Sequence, residues 1–288
     1  MSWKLYSKKY IEKGLNGRAE YTDYSKTVSF LITLLYYVQV PVFWLLSIPC
    51  RIPIIDQIYE FVASNWKRGT IGFILRGIYW KVKIKTMGQD VFVDKGVSFF
   101  PDAKMVEIGN NVHVDVNVNV NANGMLIIGN NVHISSQTFI NCKPFVVIEN
   151  DVVIGANCAI FGGASSMWHG EIEKVCPPCP LSKGHHDIFR GVLIKKFAAL
   201  APGVIVAPRD VSADVVSGSK DIKDVLIVGE GSIIGVNSYV KDDIEDYAMC
   251  VGSPAKKILD WRIIVKEYGK KNNKMYNDMM EYYLEDNR

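Results

Sequence analysis

The stretch that decides the fold is I-G-N-N-V-H at Ile108–His113, which returns at Ile128–His133 and, more loosely, as I-E-N-D-V-V at Ile148–Val153. Successive copies start twenty residues apart, and inside each copy aliphatic residues recur every six positions: Ile108, Val114, Val120; Ile128, Ile134, Ile140; Ile148, Ile154, Ile160. Counting backwards adds Met87, Val93 and Phe99. Counting forwards adds Ile194, Leu200, Val206 and then Val228, Ile234, Val240. A six-residue period does not suit an α-helix. It predicts a coil of three short strands joined by tight turns, stacked so that each aliphatic side chain sits on its counterpart one coil below. Gly, Asn and Asp beside these positions supply the left-handed backbone that such turns need.

Two excursions interrupt the register, Phe161–Leu193 and Ala207–Ile227. Insertions into a solenoid leave where a corner can open, and they commonly carry function. After Val240 the chain closes with Lys241–Ile258, and a helix is predicted over about Leu259–Glu285. The predicted organisation is an N-terminal helical region over 1–86, a coil over 87–258 and a C-terminal helix over 259–288.

Composition narrows the function classes. The 288 residues are 49% hydrophobic with a net charge of only +3, too weak a basic bias for a partner bound through nucleic-acid phosphates. Cys50, Cys142, Cys158, Cys176, Cys179 and Cys250 are scattered, and Met1–Lys26 is polar, with six basic and three acidic residues. The expectation is reduced thiols and no cleavable signal peptide. Thr27–Cys50 holds 24 residues without a charge, long enough for a membrane span. Pro41 is expected to break a helix there. Basic residues on both flanks favour the same side of a bilayer, so the segment is expected to dip in and return at Pro41, placing the protein on the cytoplasmic face of a membrane. The alternative is a buried helical hairpin or an oligomer contact.

Three features resemble the hexapeptide-repeat acyltransferases, among them galactoside and maltose acetyltransferases and many polysaccharide O-acetyltransferases. One is the register itself. Another is the closing segment VGEGSIIGVNSYVKDDIEDYAMCVGSPAKKI at Val228–Ile258, which is similar to that family's IGxxxxIGAGSVVTKDVPPYxxxxGNPAKxI ending. The third is G-H-H-D in the first excursion, at Gly184–Asp187. The resemblance covers about Met87 to Ile258 and implies a mainly β fold, a left-handed parallel β-helix. It further implies transfer of an acetyl or other short acyl group from its coenzyme A thioester to a hydroxyl of a sugar or lipid-linked glycan, in a homotrimer with active sites at subunit seams. An amino sugar acceptor is the alternative.

Removing the hydroxyl proton needs a base, and neutral histidine, with a pKa of ~6.5, serves near neutral pH. By resemblance His186, followed by Asp187, fits that role best and His185 second, with Asp187 or Glu173 to orient the imidazole. The coenzyme contacts carry over to Pro202, Gly203, Gly235, Val236, Lys241 and Lys256, with Pro202 and Val236 standing where the family has small residues. Metal is not expected. Cys176-Pro-Pro-Cys179 with His169 and His185 has zinc-ligand types but lacks a second ordered pair, and two prolines between the thiols more simply stiffen a loop. His113 and His133 also lack the zinc spacing of the β-helical carbonic anhydrases, since Val118 and Thr138 stand five residues on; a ladder of polar residues accounts for them better. A non-catalytic β-helix scaffold at the membrane is the rival from another class, and it would tolerate loss of His185 and His186.

Overall fold

In the computed structural model, residues 4–8, 11, 26–67, 69–165, 187–208 and 225–271 are described. The six-residue spacing becomes three parallel sheets. Sheet A stacks β1 (Thr86–Met87), β4 (Val106–Ile108), β7 (Met125–Ile128), β10 (Phe145–Ile148), β15 (Val192–Ile194) and β18 (Leu226–Val228). Sheet B stacks β2 (Phe92–Val93), β5 (His113–Val114), β8 (His133–Ile134), β11 (Val153–Ile154), β16 (Ala199–Leu200), β19 (Ile233–Ile234), β21 (Ala248–Val251) and β22 (Lys256–Asp260). Sheet C stacks β3 (Ser98–Phe100), β6 (Asn119–Asn121), β9 (Phe139–Asn141), β12 (Ala159–Phe161), β17 (Ile205–Val206) and β20 (Tyr239–Val240). The chain visits A, B and C in turn, so every coil is one turn of a three-sided prism.

The register is the one the sequence predicts. Met87 pairs with Ile108, Ile108 with Ile128, Ile128 with Ile148, Ile148 with Ile194 and Ile194 with Val228. Equivalent columns run from Val93 to Ile234 and from Phe99 to Val240. Every residue of the three columns is buried. Each column therefore removes its aliphatic surface from water against identical neighbours, which is the main stabilisation a solenoid has. At the corners Asn111, Asn131 and Asp151 all have positive φ. Their side chains form a ladder, Asn111 Nδ2 donating to Asn131 Oδ1 and Asn131 Nδ2 to Asp151 Oδ1, each at 2.9 Å. The neighbouring Asn110, Asn130 and Asn150 stack likewise, each lower N–H donating to the side-chain oxygen above at 2.8 and 2.7 Å.

Among the described residues, α1 (Lys26–Leu46), α2 (Pro53–Asn65) and α3 (Thr70–Lys83) precede the coil. The expected break at Pro41 is absent. Pro41 lies inside α1, where it removes one backbone donor without stopping the helix, and the chain turns instead at a short 3-10 segment, Pro49–Arg51. Among the described residues no helix is long and apolar enough to cross a membrane. Helix α3 closes the bottom of the prism: Ile78 and Trp80 are buried, and the Trp80 ring meets Phe99 edge-on at 4.9 Å. The buried Arg76 ties α2 to the coil, its Nε donating to Val93 O at 2.7 Å and its Nη1 to Ala63 O and Trp66 O. Lys81, also buried, donates to Met87 O and Gly88 O.

At the other end the closing segment contains a reversal that carries no mark in the six-residue register. Strand β22 turns back antiparallel on β21, pairing Met249 with Leu259, and α4 (Trp261–Lys271) follows. Residues 272–288 of the predicted C-terminal helix lie outside the described residues.

Candidate functional site

The turns from sheet B to sheet C form one edge of the prism, and most of the proposed coenzyme residues meet there. Ala201-Pro202-Gly203 joins β16 to β17, and Gly235-Val236-Asn237 joins β19 to β20 one coil higher. The two turns are bonded to each other, with Ala201 N–H donating to Ile234 O at 2.9 Å and Asn237 N–H to Pro202 O at 3.1 Å. Gly203 has φ +75°, and a side chain there would strike the Asn237 amide. Pro202 is accommodated because Gly155 lies beneath it; a Cβ on Gly155 would come within 2.6 Å of the Pro202 nitrogen. Pro202 and Val236 are both exposed on the ridge. Lys256 opens β22 opposite Val251, and Val251 in turn covers Gly235, where a Cβ would meet it at 2.6 Å. Pro202, Gly203, Gly235, Val236 and Lys256 thus share one edge, on the levels of β16, β19 and β22, with Val251 of β21 between the last two.

Lys241 does not join them. It directly follows β20, at the turn from sheet C back to sheet A, and its nearest ionic partner is Asp242 at 4.0 Å. Both excursions leave from this same C-to-A edge. The first rises as an antiparallel stem, β13 (Gly163–Ser165) against β14 (Asp187–Phe189), pairing Ser165 with Asp187. At its foot Gly191, with φ +66°, packs on the Phe145 ring so closely that a Cβ would collide with it. His185 and His186 immediately precede the stem strand at Asp187 but lie outside the described residues, as do His169, Glu173, Cys176 and Cys179. The second excursion departs after β17, one level higher, with 209–224 outside the described residues.

One pairing escaped the sequence reading. On the outer face of sheet B, His113 and His133 stand in register with ring centres 6.2 Å apart, as a polar ladder would place them. His133 has in addition a carboxylate partner, with Nε2 3.0 Å from Asp115 Oδ2. Asp115 belongs to the B-to-C edge, two coils below Gly155 and three below Pro202 of the coenzyme ridge. Its side chain and that of His133 are 32% and 46% exposed, so the pair is open to solvent and to a ligand. In the tautomer that carries its proton on Nε2, toward Asp115, Nδ1 is the acceptor nitrogen, the arrangement a general base needs. Burial, reinforced by the neighbouring His133, holds the His113 pKa below its ordinary value, while Asp115 pulls the other way. The signal was present as an eighteen-residue separation, a coil less two residues, and only the register makes it a contact.

The third edge, from sheet A to sheet B, carries a polar depression of about 300 Å³ between the Asn130, Asn131, Asn150 and Asp151 ladders and Lys196 and Phe197. Among the described residues no group of three or more His, Cys, Asp or Glu could hold a metal ion.

No protein-family model matches the chain, and no curated protein does. Solved structures do. An aspartate-to-alanine variant of AntD, an N-acyltransferase from Bacillus cereus, in complex with dTDP and coenzyme A, is 21% identical over 66% of this chain and 91% of that chain, with a TM-score of 0.51. The same enzyme with dTDP and 3-hydroxybutyryl-CoA is 20% identical over 67% of this chain and 94% of that one, with a TM-score of 0.50. A serine-to-alanine variant of it holds dTDP-4-amino-4,6-dideoxyglucose and coenzyme A, at 20% identity and a TM-score of 0.50, covering 66% and 94%. This chain has the left-handed β-helix fold of the hexapeptide-repeat acyltransferases. The handedness that periodicity alone leaves open is thereby fixed. At this identity the likeness concerns the fold.

Proposed function

We propose that the protein is an acyltransferase that moves an acetyl or similarly short acyl group from its coenzyme A thioester to a hydroxyl of a sugar or lipid-linked glycan, working at the cytoplasmic face of a membrane. The observation that carries this reading is the gathering of Pro202, Gly203, Gly235, Val236 and Lys256 on one edge of the prism. An exposed ridge of Pro and Val with uncovered backbone suits an extended, weakly polar arm, and Lys256 at its upper end suits a phosphate. The coenzyme A and acyl-CoA complexes of AntD support the same donor class.

Within one subunit this ridge and the stem of the first excursion lie on different edges. Side-by-side packing of prisms in a closed three-fold ring would bring the ridge of one copy against the excursion of the next, and the reading accordingly includes a homotrimer with its sites at the seams. Each site then has a base that takes the acceptor proton as the oxygen attacks the thioester carbon. The same imidazolium returns that proton to the departing thiolate when the C–S bond breaks. Such a base contributes ~10²–10⁴-fold in rate, and backbone N–H groups of the corner turns are suited to steady the oxyanion formed between the two steps. His186 is assigned this role, with His185 second.

Two further readings each rest on a specific observation. AntD is an N-acyltransferase crystallised with an amino sugar nucleotide, which favours an amine acceptor, and the same base and cleft would serve one. The Asp115–His133 pair offers a base on the coil itself. Incubating purified protein with acetyl-CoA and a panel of sugar nucleotides and lipid-linked sugars, scoring thiol release, separates the acceptors. His186→Ala is expected to lose ~10²–10⁴-fold in turnover. Full activity in both His186→Ala and His185→Ala would overturn the loop assignment, and loss confined to His133→Ala would move the base to the coil. A protein that releases no thiol with any acceptor in the panel would be the scaffold.

A further inference from the structure

Helix α1 is amphipathic in the reverse sense for a helix packed on a protein in water. In its C-terminal half the polar Gln39 faces inward: it is buried, its Oε1 accepts the Tyr6 N–H at 2.9 Å, and its Nε2 donates to Tyr6 O at 2.9 Å and Tyr36 O at 3.0 Å. Phe43 and Ser47 continue that inner line, Phe43 edge-on to the Tyr6 ring and Ser47 Oγ donating to Trp44 O. The outward arc is apolar. At 100° per residue the exposed side chains from Trp44 through Leu34 and Leu45 to Leu46 sweep roughly 200° of the circumference, and no charged residue falls between Thr27 and Cys50. Helix α2 carries a second apolar stripe, with Ile54, Ile58 and Phe61 exposed by 79%, 61% and 70%, the i, i+4, i+7 spacing of one helix face.

Exposed apolar surface of this extent, on both helices, marks an interaction site. A protein partner covers one face of a helix. An arc of more than half the circumference together with the stripe on α2 calls for a medium that wraps a convex body, which hydrocarbon does. Charge and aromatic placement point the same way. Arg51 and Lys67 are exposed at the two ends of α2, and Lys4 sits 4.3 Å over the Tyr36 ring. Exposed Tyr37, Trp44 and Trp66 supply the amphipathic rings that settle at headgroup depth. The pinned inner line from Gln39 to Cys50 holds α1 against the body of the protein, so the helix can immerse only its outer arc.

We propose that the outer faces of α1 and α2 form a monotopic lipid-binding surface that enters one leaflet of a bilayer carrying anionic headgroups. The proposal rests on the membrane placement inferred above and is independent of the acyl-transfer chemistry. The test is flotation of the full-length protein with vesicles of phosphatidylcholine alone and with about one quarter phosphatidylglycerol, whose anionic headgroups attract basic residues at the membrane surface. Wild type is expected to float with the anionic vesicles and more weakly with the neutral ones. The double variant Ile58→Glu, Phe61→Glu is expected to lose about tenfold or more in vesicle partition, with unchanged circular dichroism and unchanged mass by size-exclusion light scattering. Ile263→Glu, an equally exposed isoleucine on α4, should bind as wild type does. Wild type failing to float would overturn the membrane placement itself. A double variant that floats like wild type would overturn this surface. A change of mass in the double variant would instead make α1 and α2 a contact between copies. Thiol release with a water-soluble acceptor, measured in parallel, reports on the proposed chemistry separately.

Discussion

Gly155→Ala tests the stacking of coils where it is tightest. A Cβ at Gly155 would lie 2.6 Å from Pro202 N, 2.7 Å from Ala201 C and 2.8 Å from Leu200 O. All three are backbone atoms of the next coil, and that coil is fixed by the Gly155 N–H bond to Leu200 O at 2.7 Å. Ordinary carbon contact wants ~3.5 Å or more, so the two coils must part by most of an ångström or the bond must stretch. Overpacking costs ~1–3 kcal/mol, and here backbone rather than a rotamer has to yield, which puts the cost at about 3 kcal/mol. Gly203→Ala is the matched comparison one coil up. Its φ of +75° costs an L-residue about 1–2 kcal/mol, and the atom its Cβ would strike is the tip of Asn237, which can rotate away. Thermal unfolding followed by circular dichroism should therefore fall by ~6–12 °C for Gly155→Ala and by ~2–8 °C for Gly203→Ala, at ~2–4 °C per kcal/mol. A silent Gly155→Ala, or a Gly203→Ala that loses more than its partner, would refute the close approach of the coils at this edge.

Ile148→Ala, in the middle of the sheet A column and fully buried, should cost about 2–5 kcal/mol in urea unfolding, whereas Val153→Ala on the outer face should stay within ~0.5 kcal/mol of wild type. Because His113 has its folded pKa depressed by burial and by His133, the unfolded chain takes up this proton first. Its contribution is intact above about pH 6.5 and is lost as pH falls from there through the folded value; melting temperatures from pH ~8 to ~5 should fall less steeply in His113→Gln. Burial pushes the Cys142 thiol up to about 12, so iodoacetamide near neutral pH should leave Cys142 unmodified in peptide mass spectra until the protein is unfolded. Lys81→Met strands the Met87 and Gly88 carbonyls at the bottom of the coil and should cost about 1–3 kcal/mol, read by the same urea titration.

What the sequence made legible is what the register controls. Ile108, Val114 and Val120 had to be inward because their spacing repeats, and Asn111, Asn131 and Asp151 had to turn the corners because few side chains accept positive φ. Strand β22 was not legible, since K-K-I-L-D at Lys256–Asp260 carries no six-residue mark and pairs by reversal. Pro41 misled because proline reports a missing donor, and a long apolar helix tolerates that loss. The candidate site divided the same way. Pro202, Gly203, Gly235 and Val236 are chemically plain, and only resemblance singled them out, yet the fold brings them to one edge. Lys241, chosen on the same grounds, stands on another. Asp115 and His133 could be joined only by counting a coil and stepping back two residues. For α1 the absence of charge was plain to read, but which side faced outward depended on where Gln39 found its partners.

The reversal at the top of sheet B has a consequence for how long the solenoid is. A parallel coil ends in amides and carbonyls that any further coil, from this chain or another, could continue. By folding β22 back against β21 in the opposite sense, with Trp261 donating to Gly231 O beside it, the chain offers the next comer a strand of the wrong direction. Growth by head-to-tail addition is blocked on that side, much as α3 blocks it below, and the protein remains a particle of defined height instead of a fibre.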